Sequence, residues 1–244
     1  MKHLLPLLLF CLVAAAPRSG YDDASPETRA MQDDDNANPG FLWIREGEAQ
    51  WSAPAGPEGK SCATCHGDAT VSMRGVAARY PVVDARLGHP LTLDQRIAQC
   101  RTERQHAPPL PPEGDAALGL SAIVGLQSRS MKLHVDANSA FVAAGKALFN
   151  TRMGQLNLSC AQCHDERAGL KLAGAVIPQG HPNGYPEYRL EWQTMGSLNR
   201  RLRNCMIGVR AEPFAPDSLE MAELALFLAV RAEGLKVETP AVRP

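Results

Sequence analysis

Two pentapeptides hold residue types at a spacing that can do chemistry: "CATCH" at 62–66 and "CAQCH" at 160–164. Each sets two thiols three positions apart, with a histidine directly after the second. That is the attachment signal for a c-type haem, in which the thiols form thioethers to the porphyrin edge and the histidine reaches iron from the proximal side. Zinc would want further close Cys or His ligands, which neither copy has. Two copies predict two haem c groups, held covalently by Cys62 and Cys65 and by Cys160 and Cys163, with His66 and His164 as proximal ligands.

The elements that must position these motifs repeat with them. Cys62 and Cys160 are 98 positions apart, and at the same spacing Gly47 meets Gly145 and Trp51 meets Phe149. Each unit is expected to open with a helix whose glycine admits a close backbone neighbour and whose aromatic packs on it. Downstream the spacing becomes 105, pairing Tyr80-Pro81 with Tyr185-Pro186, Leu93 with Leu198, Arg96 with Arg201, Ile97 with Leu202 and Cys100 with Cys205. The second copy has therefore gained seven residues after its haem motif. Closing helices are expected over 114–129 and in "DSLEMAELALFLAVRAEG". There Asp217 would be the cap, Leu219, Ala222, Leu226, Phe227 and Val230 the inward face, and Gly234 the stop. The predicted fold class is all-α: two tandem cytochrome c-type haem domains related by duplication, at 41–131 and 137–235, with a linker at 132–136 and a tail at 236–244. Aromatic residues make up only 5% of the chain, so the haems themselves are expected to fill the two interiors.

The opening "MKHLLPLLLFCLVAAAPRSG" has a basic start, an apolar run too short to span a bilayer, and small residues. Residues 1–16 read as a signal peptide, discarded with Cys11, which predicts export to the periplasm. No later run is apolar enough for a membrane span. A formal net charge of −1 gives no global field pointing to nucleic acid or membrane. The acidic extension at 17–40 reads as a solvated linker. Within it "SPETRAMQ" could form a short helix, capped by Ser25 with Pro26 in its first turn.

Cys100 and Cys205 remain. Spare cysteines in an exported protein commonly form a disulfide. The register favours another role. Each lies at i+7 from Leu93 or Leu198 and i+3 from Ile97 or Leu202, on the inward face of its own helix. No methionine or histidine keeps register behind both motifs. The "GHP" triplets at 88–90 and 180–182 are 92 apart, out of step with the rest, and read as turns. Cys100 and Cys205 are therefore expected as the second axial ligands, through thiolates that donate density to iron and lower its potential. Arg96 and Arg201 sit at i−4, on the cysteine's own face. Around Cys205 gather Arg200, Arg201, Arg203 and Arg210, with Arg189 earlier. Such a cluster is expected to clamp haem propionates and to hold a small oxyanion.

Over nearly all of its mature length the sequence resembles the SoxA family, the dihaem subunits of SoxAX cytochromes in bacterial sulfur oxidation. The likeness runs through "NPGFLWIREGEAQW", "GKSCATCHGD", "LTLDQRIAQCR", "LSCAQCHDERAGLKLAG", "YPEYRLEWQTMGSLNRRLRNCMIGVRAEPFAPDS" and "LALFLAVRAEGL". The resemblance implies an L-cysteine S-thiosulfotransferase that oxidatively couples thiosulfate to a cysteine of the carrier SoxYZ. It implies that two electrons pass to SoxX, a monohaem cytochrome c. It makes Cys205 the active sulfur, found as a persulfide in the family, and Arg201 the substrate contact. Cys100 is left structural or electron-tuning. The rival classes are a plain dihaem electron carrier with Met or bis-His ligation and a dihaem peroxidase with one open iron.

Overall fold

A computed structural model describes residues 16–244, so the signal-peptide reading and Cys11 lie outside the described residues, Ala16 excepted. Helix α1 spans Pro26–Asp33 and α2 spans Phe41–Ser52. The first haem motif forms the short α3, Cys62–His66, followed by α4, Ala69–Ser72. A hairpin of β1 (Val82–Asp84) and β2 (His89–Leu91) leads into α5, Leu93–Gln99. That helix loosens into a π-helical turn at Cys100–Arg104 before α6, Asp115–Leu126. The second unit repeats this order, except that a small hairpin stands where the first has α4. It has α7 (Ala140–Asn150), the motif helix α8 (Cys160–His164), and a small hairpin of β3 (Lys171–Leu172) and β4 (Ala175–Val176). Then come β5 (Glu187–Arg189), β6 (Thr194–Gly196), α9 (Leu198–Gly208) and α10 (Leu219–Arg231). Strand β7, Ala241–Arg243, joins β5 in parallel.

The duplication extends to the caps. Ser61 and Ser159 start α3 and α8, while Thr92 and Ser197 start α5 and α9. The Tyr80-Pro81 and Tyr185-Pro186 bonds are both cis. Helices dominate, but the all-α expectation needs correcting, because each unit inserts a β-hairpin between its haem motif and its cysteine-bearing helix. The residue before proline is pushed out of the helical region, and Val82, Val83 and Tyr188 favour strand.

The glycines of α2 and α7 make the close approaches expected of them. A Cβ on Gly47 would lie 2.1 Å from the Gly119 carbonyl oxygen of α6, and one on Gly145 the same 2.1 Å from that of Glu223 in α10. Trp51 and Phe149 are both buried beside these crossings. The two units interlock through their hairpins: Met195 of β6 packs with Ile44, Leu118 and Ala122, and Val83 of β1 packs beside Leu226 and Ala229. Helix α10 is consequently buried from Met221 to Ala229 on nearly every side rather than along one stripe, and Leu219 is exposed. Ser218, not Asp217, is its cap, accepting from the Met221 N–H at 3.3 Å. The helix ends at Arg231, ahead of Gly234.

The extension at 17–40 is not a solvated linker. Ser25 caps α1, and Gln32 Oε1 accepts from Val242 N at 3.0 Å and from Arg243 Nη1 at 2.5 Å. Asn38 Nδ2 donates to Pro240 O at 2.9 Å. The segment is acidic on average, but Gln32 and Asn38 are buried polar groups with partners some two hundred residues away, so composition hides the packing. Among the described residues no helix is long and apolar enough to cross a membrane.

Candidate haem and substrate sites

Helices α3 and α8 are too short to persist alone, and reciprocal capping holds them. Ser61 Oγ accepts from Thr64 N while Thr64 Oγ1 accepts from Ser61 N, both at 3.1 Å. Ser159 and Gln162 repeat this at 3.3 and 3.0 Å. One turn then brings the two cysteines of each motif to one face, three positions apart. Burial pushes the Cys62 thiol up and the Cys160 thiol up to about 11, so both sulfurs suit an apolar, uncharged bond rather than a free thiolate.

His164 is held for ligation. Its Nδ1 lies 2.7 Å from the Pro178 carbonyl oxygen. A carbonyl only accepts, so Nδ1 carries the proton and Nε2 keeps a lone pair for a metal. Burial, aided by Arg201 and Arg231, outweighs that bond and holds the imidazole pKa below its ordinary value, favouring the neutral ligand form. His66 is exposed, with its ring 5.9 Å from that of Trp51, whose Nε1 donates to Gly67 O at 2.9 Å.

Cys100 and Cys205 are unbridged thiols. Each sits with its own motif: the charge on Cys100 is felt at Cys62, and that on Cys205 at Cys160. The loops before the motifs are stitched to the ends of the cysteine-bearing helices. Gln105 Nε2 donates to Lys60 O at 2.9 Å, and the N–H groups of Gln155 and Leu156 donate to Arg210 O and Val209 O, both at 3.3 Å. Two motif thiols, a histidine and a third thiol from α9 or the end of α5 form a donor set whose chemistry fits a haem c in each unit.

The arginine crowd around Cys205 disperses. Arg200 lies 4.3 Å from the Trp192 ring centroid, and Arg203 donates to Phe214 O at 3.4 Å. Arg210 is exposed with φ +57, and Arg189 pairs with Glu187 and Glu191 at 3.4 and 3.2 Å. Positions 200 and 203 lie off Cys205's face of the helix, which positions i−3 and i−4 share. Arg201 alone stays with the sulfur. Burial would weaken its charge, but Cys205, Tyr185 and Glu187 together hold its pKa above the ordinary value. Among the described residues it forms no ion pair. His89 contacts its neighbour, with Nδ1 2.9 Å from Pro90 O, and His181 contacts the N-terminal segment, with Nδ1 2.7 Å from Arg18 O.

Sequence reading missed two supports. Pro178 lies in the stretch lengthened in the second copy, so no register could flag it. Arg231 braces the same side: it pairs with Asp165 at 2.7 Å, donates to Gln179 O at 3.0 Å and lies 4.5 Å from the Phe149 ring centroid. Its place in the last turn of α10 resembles an ordinary helix-end cation, which masks its role.

Two capped haem-attachment turns, each inside a pair of crossed helices, define a tandem cytochrome c. Within that class, the chain belongs to the SoxA/TsdA cytochrome c domain family, which matches residues 46–133 and 144–237. It is 37% identical over 229 residues to the L-cysteine S-thiosulfotransferase subunit SoxA of Pseudaminobacter salicylatoxidans, covering 92% of this chain and 80% of that one. The SoxA subunit of Paracoccus pantotrophus is 34% identical over 228 residues, covering 92% and 78%. The crystal structure of SoxXA from P. pantotrophus superposes with a TM-score of 0.90 at 33% identity, covering 93% of this chain and 87% of that one.

Proposed function

We propose that the protein is an L-cysteine S-thiosulfotransferase subunit that oxidatively joins thiosulfate to a cysteine of a carrier protein. The carrier is SoxYZ, the electrons leave through SoxX, and the compartment is the periplasm, reached after removal of residues 1–16. The haem domains are 41–131 and 137–235. Cys62 and Cys65 would hold one haem c, with His66 and Cys100 as the donors to its iron. Cys160 and Cys163 would hold the other, with His164 and Cys205 as the donors. When bound, these groups supply one-electron acceptors of tuned potential. The observation that carries the reading is Arg201: a largely buried guanidinium that makes no ion pair among the described residues, on the same helix face as the Cys205 thiol.

The chain's own residues then do the following. Arg201 receives the dianion and lowers its repulsion from the Cys205 sulfur, holding the two for bond formation. The outer sulfur of thiosulfate bonds to Cys205 sulfur as two electrons depart, giving a cysteine S-thiosulfonate. The carrier thiolate attacks the thiosulfate-derived sulfur of that bond, takes the thiosulfate and returns Cys205 as thiolate. Overall, one carrier thiol and one thiosulfate give one carrier S-thiosulfonate, one proton and two electrons.

The test mixes haem-loaded protein, SoxX, SoxYZ and thiosulfate and weighs the carrier by mass spectrometry. Gain of one thiosulfate per carrier cysteine is expected. Haem reduction with no change of carrier mass would leave only an electron carrier.

A further inference from the structure

The register that pairs Arg96 with Arg201 also pairs Asp84, the last residue of β1, with Arg189, the last residue of β5. In the first unit Asp84 forms an ion pair with Arg96. The same guanidinium donates from Nε to Tyr80 Oη at 3.3 Å and from Nη1 to Gln99 Oε1 at 2.6 Å. It is fully engaged. In the second unit the matching strand residue is a cation, flanked by Glu187 and Glu191 where the first unit has Val82 and Arg86. Arg189 takes both carboxylates, at 3.4 and 3.2 Å, and Glu187 is buried with it. Both acids are near enough to act on Arg201 through space, yet neither pairs with it.

We propose that Arg189 is a specificity-determining positioning residue. It stands where a carboxylate closes the first unit and it restrains Glu187 and Glu191, leaving the Arg201 guanidinium open for a sulfur oxyanion beside Cys205. This rests on the reading of Arg201 as the thiosulfate contact. The same inversion accounts for a silent first unit. Arg96 and Cys100 have the spacing of Arg201 and Cys205, but an anion there must displace a carboxylate already tethered within reach. With Asp84 on Nη2, Tyr80 on Nε and Gln99 on Nη1, the Arg96 fork has no edge left open for a further anion.

Arg189→Asp, Arg189→Lys and Arg201→Ala, each haem-loaded, are compared with the unchanged protein in carrier conjugation, with haem absorption spectra as a control on folding. Asp at 189 recreates the Asp84 pairing. It is expected to raise the thiosulfate KM about tenfold or more while kcat and spectra hold. Lys at 189 still restrains both glutamates and is expected to stay near the unchanged KM. An unchanged KM in the Asp variant overturns the inference, as does equal damage from Asp and Lys. Should Arg201→Ala leave KM unmoved, the Arg201 reading falls and takes this inference with it. A KM that rises in Arg201→Ala but not in Arg189→Asp removes this inference alone. If the Asp variant does not load haem, Arg189→Gln carries the same test, since it frees Glu187 for Arg201, and the same KM criterion decides.

Discussion

His66 and His164 end equivalent motif helices, each capped by serine and followed downstream by a hairpin and a cysteine-bearing helix. What surrounds them differs. His66 is exposed, Cys100 begins a π-helical turn, and Arg96 is locked to Asp84. His164 is held by Pro178 and sheltered by Arg231, Cys205 lies within a continuous α9, and among the described residues Arg201 has no carboxylate partner. One covalent frame thus supports two different sites. A short insertion and a charge inversion at one strand position distinguish the two units, while the haem motif is common to both.

The comparison breaks most visibly at the sulfurs. Cys205→Ala is expected to lower carrier conjugation by about 10³-fold or more, with both haems still attached. Cys100→Ala should retain most of the activity. Mass spectrometry of the carrier, with haem content measured in parallel, separates the two. Equal losses would make the units functionally equivalent.

Next in size are the helix crossings, where the units should behave alike. Alanine at Gly47 or at Gly145 puts a methyl 2.1 Å from a backbone oxygen, so each is expected to cost about 3 kcal/mol of stability as the helices part. Urea unfolding followed by circular dichroism checks this. A loss confined to one position would show that the crossings are not equivalent.

Arginine exchanges come third. Arg201→Ala should raise the thiosulfate KM by about 10- to 100-fold. Arg96→Ala should leave KM alone and loosen only the first unit. Steady-state kinetics on both variants sharpens the assignment of the anion to one side.

The smallest effect is acid-linked. Hydrogen bonding from Arg96, with backbone help from Leu87 and Arg86, holds the Asp84 carboxyl at about 2, below its ordinary 3.8. A carboxylate held low contributes stability above its unfolded value, and that contribution fades as pH falls from about 4 toward 2. The unchanged protein should therefore exceed Asp84→Asn in thermal stability at neutral pH and converge with it near pH 2. The second unit has Arg189 at that position and should show no such dependence there.

Much of this was legible in the sequence because duplication supplies an internal alignment. The haem motifs, Gly47 with Gly145, and Cys100 with Cys205 all keep register, and pattern and spacing are local properties. The hairpins are not legible because three-residue strands carry too little periodicity to compete with helical signals on either side. Arg200, Arg203 and Arg210 are close along the chain but not in space, because the helix turns the first two off the Cys205 face and Arg210 lies beyond its end. The Asp84–Arg189 inversion is present in the register but becomes meaningful only once the fold pairs Asp84 with Arg96 and Arg189 with Glu187 and Glu191. Gln32 and Asn38 pair with the far end of the chain, and no local pattern marks such contacts.

The central claim is that thiosulfate bonds to Cys205. Oxidised, haem-loaded protein should be mixed with thiosulfate radiolabelled in its outer sulfur, without carrier, and its peptides mapped. Label on the peptide bearing Cys205 and none on the peptide bearing Cys100 is the predicted result. Label at Cys100, or no covalent label in a preparation that still conjugates the carrier, would contradict it.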